Sequence, residues 1–189
     1  MKNIIYFIIL AVFSIFINQY FGYRGVFPID SFVNYDPSYN ITAGNHPFKD
    51  YWAITGPLVV YLQSLFFLIL GVNWFSYVLH ASLINMMLTL STFYFFKKIG
   101  LKEIYSFIYS VGVAILAYPA VGVPFVDHHA VILSVIALYS LSLAILYEKN
   151  LFWFLTPALL IFSFFTKQIP AAYILILFIS IIVLYFLFT

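Results

Sequence analysis

The stretch FSYVLHASLINMMLTLSTFYFFKKIGLK, residues 75–102, decides the topology of this chain. Residues 75–96 contain no Asp, Glu, Lys or Arg, and a run of that length can cross the hydrocarbon core of a bilayer, which is about 30 Å thick. The following residues include Lys97, Lys98 and Lys102, the densest cluster of cations in the sequence. Because cytoplasmic loops carry an excess of lysine and arginine, the pattern predicts a membrane span that ends in the cytoplasm.

The composition of the whole chain is also typical of a membrane protein. Hydrophobic residues make up 65% of the 189 residues and charged residues 7%, with a mean hydropathy of +1.08, whereas soluble domains contain about 25% charged residues. The apolar runs are continuous and lack the alternation of polar and apolar residues found in transmembrane β-barrels. The sequence therefore predicts an all-α polytopic membrane protein of about 5–6 transmembrane helices, folded as one membrane domain.

The apolar runs predict where these helices lie. Spans are expected at about residues 4–21, 75–96, 104–120, 130–147, 151–166 and 170–188. The run at 58–70 has only 13 residues, which is short for a span, and a crossing there would move the lysine cluster to the opposite side. We therefore predict that 58–70 is a surface helix within an outer loop, residues 22–74, whose amphipathic helices lie on the membrane.

This topology sorts the charged residues between two sides. The inner side receives five lysines, Lys2, Lys97, Lys98, Lys102 and Lys149, and the outer side receives Arg24, Lys49, Lys167 and all four aspartates. We expect a multi-pass protein of a bacterial inner membrane with its site on the periplasmic, or outer, side. The chain has no cysteine for a thiolate metal site. Its net charge of +2, without a basic patch, argues against nucleic-acid binding.

Two aspartates in the outer loop are candidates for a chemical role. Asp30 follows Pro28 just beyond the first span, and an ionisable group close to the membrane is costly enough to mark a functional site; the alternative is an ordinary loop carboxylate. Asp36 precedes Pro37, and this pair is typical of a helix start with aspartate at the N-cap and proline at the first helical position. Asp36 is therefore expected to cap a helix rather than to react.

A third aspartate, Asp50, lies between Lys49 and Tyr51 in the same loop. It could pair with Lys49, lie among lipid headgroups or contact a substrate, and the sequence leaves these alternatives open. Tyr51 belongs to an aromatic group with Phe48 and Trp52, which is suited to the headgroup level of a bilayer.

The segment Asp127-His128-His129 is the second concentration of polar residues. Adjacent histidines point in different directions on a helix, so a metal site with two histidine ligands is not favoured, although His128 with Asp30 or Asp127 could hold a divalent cation. The alternative is a turn that caps a helix starting at Ala130. Lys167, late in an apolar run, could extend to the headgroups or bind an anionic phosphate.

Polar residues inside the predicted spans have a simpler interpretation. His80 and Asn85 lie within 75–96 and are expected to be hydrogen-bonding groups between packed helices. The sequence has no P-loop, no glycine-rich dinucleotide loop and no nucleophile elbow, so it gives no support to chemistry driven by a soluble nucleotide.

The order of several short motifs resembles that of a known family. Asp30 is followed by GNHPFKDY at 44–51, by Gly56-Pro57-Leu58 with Tyr61-Leu62, and late in the chain by Phe165-Thr166-Lys167-Gln168. This order is similar to that of the GT-C glycosyltransferases, membrane enzymes that use polyprenyl-phosphate sugars and include protein mannosyltransferases and the aminoarabinose transferase of lipid A. Many members have Lys-Pro-Pro-Leu where this chain has Thr55-Gly56-Pro57-Leu58.

The resemblance implies a role for each candidate residue. Asp30 would be the general base that activates the acceptor, with Asp36 as the second choice, and a divalent cation is an optional cofactor. Substrate or lipid-phosphate contacts would come from Lys49, Asp50, Tyr51, Lys167, Asp127, His128 and His129. The partners would be a polyprenyl-phosphate sugar, the membrane and a companion chain supplying further spans, because family members are longer than this chain.

Two other functions remain open from the sequence. The chain could be a non-catalytic, split module that binds lipid or a partner subunit. It could also be a small transporter or flippase, which would be expected to carry ionisable residues near the middle of the bilayer or paired broken helices.

Overall fold

The computed structural model describes residues 2–26, 30–53 and 55–188, and these ranges form eight helices without a β-strand. The helices are α1 (Lys2–Gly22), α2 (Tyr35–Thr42), α3 (Leu58–Leu70), α4 (Trp74–Lys98), α5 (Glu103–Leu116), α6 (Val126–Tyr147), α7 (Asn150–Thr166) and α8 (Gln168–Phe188). The predicted all-α class is therefore confirmed. The predicted short helix at 58–70 has the same bounds as α3.

Four of these helices, α1, α4, α6 and α8, are long and apolar enough to cross a membrane. The predicted spans at 104–120 and 151–166 contain shorter apolar helices, α5 with 14 residues and α7 with 17. At 1.5 Å of rise per residue, α5 is about 21 Å long. It stops at Leu116 because the chain turns at Ala117, just before Pro119, a residue that cannot continue a regular helix.

Contacts between side chains fix the directions of α1 and α4. Near the start of α1, the ring of Tyr6 lies 6.0 Å from that of Phe93, close to the end of α4. Near the end of α1, Asn18 Nδ2 donates to Ser82 Oγ at 3.0 Å, close to the start of α4. The two helices therefore run antiparallel.

The later helices alternate in the same way. Asn85 of α4 donates to the Ala114 carbonyl near the end of α5 at 2.9 Å, and Lys97 pairs with Glu103 at the start of α5. Phe95, late in α4, stacks on Tyr139 of α6 with 4.4 Å between ring centroids, and His80, early in α4, lies 3.1 Å from His129, early in α6. These contacts make α5 antiparallel and α6 parallel to α4.

The bundle thus has two chemically different ends. The end with α2, α3 and the Asp127–Lys167 ion pair is called the aspartate end, and the end with Lys97, Lys98 and Glu103 is called the lysine end. Both ends of α3 lie at the aspartate end, because Gly56 before it bonds to Thr166 and α4 starts soon after it. This placement agrees with α3 being a surface helix rather than a crossing.

Polar residues inside the helices hold the bundle together. Asn85 Nδ2 donates to the carbonyl of Ser14 in α1 at 3.1 Å as well as to Ala114 in α5. One amide therefore joins three helices, and its predicted role as a packing group is confirmed. These acceptors offset the cost of burying the amide N–H groups in an apolar interior, while the Asn85 side-chain oxygen has no hydrogen-bond partner.

Candidate functional site

The two aspartates predicted at the start of the outer loop both lie at the aspartate end. Asp30 is exposed in the turn that leads into α2, while Pro28 lies outside the described residues. The prediction that Asp36 is the N-cap of α2 is wrong. Asn34 occupies the N-cap position, and its side chain makes no cap bond but donates to the Pro124 carbonyl at 2.9 Å. Asp36 lies exposed in the first helical turn. There its negative charge interacts favourably with the positive end of the helix dipole.

Asp50 has a structural role in the loop between α2 and α3. Its Oδ2 atom accepts a hydrogen bond from the His46 backbone N–H at 2.8 Å, and its own N–H donates to the His46 carbonyl at 2.9 Å. Lys49 Nζ lies 3.8 Å from the same carboxylate, with the lysine side chain 75% exposed. Among the open alternatives for Asp50, pairing with Lys49 is observed, and the carboxylate closes a tight turn.

Tyr51 connects this loop to α2. Its hydroxyl donates to the Pro37 carbonyl at 3.2 Å, and burial raises the pKa of Tyr51, so the phenol stays protonated and able to donate. A cavity of about 230 Å³ lies between α2, this loop and the start of α3, with Asn34, Tyr51 and Thr55 in its wall. Trp52 borders the same cavity and is 83% exposed.

The segment Asp127-His128-His129 forms the first turn of α6. The predicted capping turn before Ala130 is wrong, because the helix already begins at Val126, after the extended residue Phe125. Asp127 Oδ1 forms an ion pair of 2.5 Å with Lys167 Nζ, and both side chains are partly exposed. Lys167 therefore links the α7–α8 junction to α6.

The two adjacent histidines point in different directions, as predicted. The ring of His128 is half-buried against Tyr118 and Phe125, at centroid distances of 5.4 and 5.8 Å. It borders a groove of about 310 Å³ that also includes Asp127 and Val131. His129, at the next helical position, is fully buried.

His129 belongs to a buried chain of hydrogen bonds that the sequence did not predict. His129 Nε2 lies 3.1 Å from His80 Nε2, and His80 Nδ1 lies 2.9 Å from Gln63 Oε1. On the other side, His129 Nδ1 lies 2.5 Å from the Tyr118 hydroxyl. The chain joins α3, α4, α6 and the segment before α6, and all four side chains are buried.

Neutral imidazoles allow this chain to run in two directions. When His80 Nδ1 donates to Gln63, His80 Nε2 accepts from His129, and Tyr118 donates to His129 Nδ1. In the reverse direction His129 Nδ1 donates to the Phe125 carbonyl, 3.1 Å away, and the Gln63 amide turns over to donate. Either arrangement therefore satisfies the ring nitrogens of both histidines without a buried charge.

The backbone brings together two motifs that are distant in the sequence. The Gly56 N–H donates to the Thr166 carbonyl at 3.1 Å. A Cβ atom at position 56 would lie 1.9 Å from the Phe165 carbonyl oxygen, so only glycine fits here. The Thr55-Gly56-Pro57 segment thus lies directly on the end of α7, next to Lys167.

The remaining predicted features do not converge on one point. No group of three or more His, Asp or Glu side chains in the described ranges is arranged to hold a metal ion, and Asp127, one of the three suggested ligands, is paired with Lys167. In comparisons with known proteins, no family model, no curated protein and no solved structure matches this chain.

Proposed function

We propose that the chain is the membrane module of a GT-C-like glycosyltransferase, which transfers a sugar from a polyprenyl-phosphate donor to a hydroxyl acceptor at the aspartate end. The observation that carries this proposal is the contact between Gly56 and Thr166. It joins two of the motifs on which the family resemblance depends, although they are far apart in the sequence. The polar loop and the Asp127–Lys167 pair then belong to one end of the bundle.

The reaction would follow from one exposed carboxylate. Asp30 would accept the proton of the acceptor hydroxyl while that oxygen forms a bond to the anomeric carbon of the sugar. The bond between the anomeric carbon and the phosphate oxygen breaks, and its electron pair leaves with the lipid phosphate. A phosphate is a good leaving group, so it needs stabilisation of negative charge more than it needs a proton.

Three cations at this end could stabilise the leaving phosphate. Lys49 and Lys167 each already face a carboxylate, Asp50 at 3.8 Å and Asp127 at 2.5 Å. Arg24 lies over the ring of Tyr20, 4.2 Å from its centroid, and makes no ion pair with a described residue. We therefore expect Arg24 to contact the phosphate first, with Lys49 or Lys167 joining when the phosphate competes with its carboxylate.

The direct test is an assay in membranes that contain the full chain. Labelled polyprenyl-phosphate sugars are added to these membranes, in the presence or absence of a companion chain that contains further membrane spans. The amount of labelled sugar transferred from the lipid to an acceptor is measured. We expect transfer that depends on this chain and is absent with the corresponding nucleotide sugars. If no lipid-linked sugar is transferred even when the companion chain is present, the proposal is wrong.

A proton-coupled transporter is the second candidate, because the structure has two contacting buried histidines in α4 and α6. Ionisable groups inside membrane helices often mark proton pathways. If this function is correct, vesicles containing the chain will acidify under an imposed pH gradient, and His129→Gln will abolish the flux. His46→Gln, in the loop after α2, is the control and should have no effect. Wild-type vesicles no more permeable to protons than empty ones would exclude proton conduction through the histidine pair.

A further inference from the structure

The lysine end carries a cation that the proposed reaction does not use. The ion pairs among the described residues are Lys49–Asp50, Lys97–Glu103 and Lys167–Asp127, so Lys98 is in none of them. Its Nζ atom lies over two aromatic rings, 5.5 Å from the centroid of Tyr94 and 5.7 Å from that of Tyr147. Such cation–π contacts hold an ammonium group in place without neutralising its charge.

The backbone around Lys98 is fixed as well. The Tyr147 hydroxyl at the end of α6 donates to the Lys98 carbonyl at 2.5 Å. The two aromatic rings come from α4 and α6, so the position of the ammonium group depends on the packing of both helices. Tyr94 is 38% exposed, and its hydroxyl is a second hydrogen-bond donor in this region.

An apolar cavity reaches Tyr94, one of the two rings over which the Lys98 ammonium group lies. Its volume is about 330 Å³, and it extends from Tyr94 between α4, α6 and α7. Leu90, Leu143, Phe152 and Leu155 form much of the wall, and Phe7 of α1 closes one side. Both α4 and α6 are long and apolar enough to cross a membrane, so the natural occupant of this cavity is a hydrocarbon chain.

We propose that this place binds a phospholipid with an anionic headgroup. The headgroup phosphate contacts Lys98 Nζ and the Tyr94 hydroxyl, and one acyl chain enters the cavity. Charge complementarity supports an anionic lipid, because Lys97 is paired with Glu103. Among the described residues of this end, the cations Lys98, Lys102 and Lys149 then outnumber the one other glutamate, Glu148. Lysines at a membrane surface attract anionic lipids. The site lies at the opposite end from the proposed reaction and does not depend on it.

The test is native mass spectrometry of the purified full chain with phosphatidylglycerol and phosphatidylcholine of identical acyl chains. Wild-type protein should retain phosphatidylglycerol preferentially. Lys98→Gln should lower its affinity about fivefold, which corresponds to one lysine near a membrane surface, with little change for phosphatidylcholine. Lys102→Gln is the matched control, since it removes the same charge from the same end, but Lys102 does not lie over the rings of Tyr94 and Tyr147 that place Lys98. It should lower the affinity clearly less than Lys98→Gln does.

A second variant tests the cavity rather than the charge. Ser91 lies in the cavity wall, and Ser91→Leu should weaken phosphatidylglycerol binding at least threefold while helical content stays unchanged. Equal binding of the two lipids by the wild type, or equal losses in Lys98→Gln and Lys102→Gln, would overturn the proposal. Unchanged binding in a folded Ser91→Leu protein would also overturn it. If that variant does not fold, the comparison of the two lysine variants decides.

Discussion

Asp30→Asn is expected to lower sugar transfer by at least a hundredfold while leaving the amount of protein in the membrane unchanged. The substitution keeps the size of the side chain but removes its ability to accept a proton, and general-base catalysis contributes about 10²–10⁴-fold. Asp30 is exposed in the turn before α2, so the change should not affect folding. Transfer is measured with labelled polyprenyl-phosphate sugar, and expression is measured in the same membranes.

Asp36→Asn is the matched control for this experiment. Asp36 is also exposed and lies only six residues further along the chain, but it sits in the first turn of α2, where loss of its charge should cost about 0.3–1 kcal/mol of helix stability. Its transfer rate should stay within about threefold of the wild type, since it is not expected to be the base. Near-normal transfer by Asp30→Asn together with loss in Asp36→Asn would move the catalytic role to Asp36. Normal transfer by both variants would remove the carboxylate mechanism.

The features that the sequence predicted correctly are those set by local composition. The bounds of α3 follow from an apolar run between Gly56-Pro57 and Gly71, and proline before and glycine after a helix are strong signals. The separation of the aspartate end from the lysine end follows from the clustering of lysines in the sequence. Recognising that cluster requires no information about how the helices pack. The packing role of Asn85 follows from a polar side chain inside an apolar span.

The features that the sequence missed depend on contacts between distant segments. Asn34 does not cap α2 with its side chain because that side chain bonds to Pro124, a residue that no local pattern connects with it. The sequence predicts a turn at the polar segment Asp127-His128-His129, yet in α6 these three side chains point to Lys167, the groove and His80 respectively. The three consecutive polar residues lie in different surroundings, although both histidines contact Tyr118, and periodicity alone cannot indicate these neighbours.

The buried hydrogen-bond chain had a weak signal in the sequence. Gln63 interrupts the apolar α3, and His80 interrupts the apolar α4. These two residues are among several polar residues in the two helices, and pairing them is favourable because an unpaired polar group is costly in an apolar interior. Their pairing could have been suspected on that ground, but the participation of His129 and Tyr118 could not.

Gly56→Ala is expected to lower the free energy of unfolding by about 3 kcal/mol, from overpacking of about 1–3 kcal/mol and a weakened hydrogen bond of about 1 kcal/mol. The new Cβ atom would lie 1.9 Å from the Phe165 carbonyl oxygen and 2.4 Å from its carbon. These are backbone atoms at the end of α7, so they cannot move aside as a flexible side chain would. The loop must retreat, and the hydrogen bond from Gly56 to Thr166 lengthens.

Gly112→Ala is the control because it adds the same methyl group where no atom lies within 4 Å. Gly112 is in the interior of α5, so alanine there should raise stability by about 0.5–1 kcal/mol. Both variants are measured by titrating the purified protein with a denaturing detergent and following helical content. A loss below 1 kcal/mol in Gly56→Ala would mean that the loop before α3 does not rest on α7 as closely as described. The Gly56 contact would then no longer connect the two motifs on which the proposed glycosyltransferase function depends.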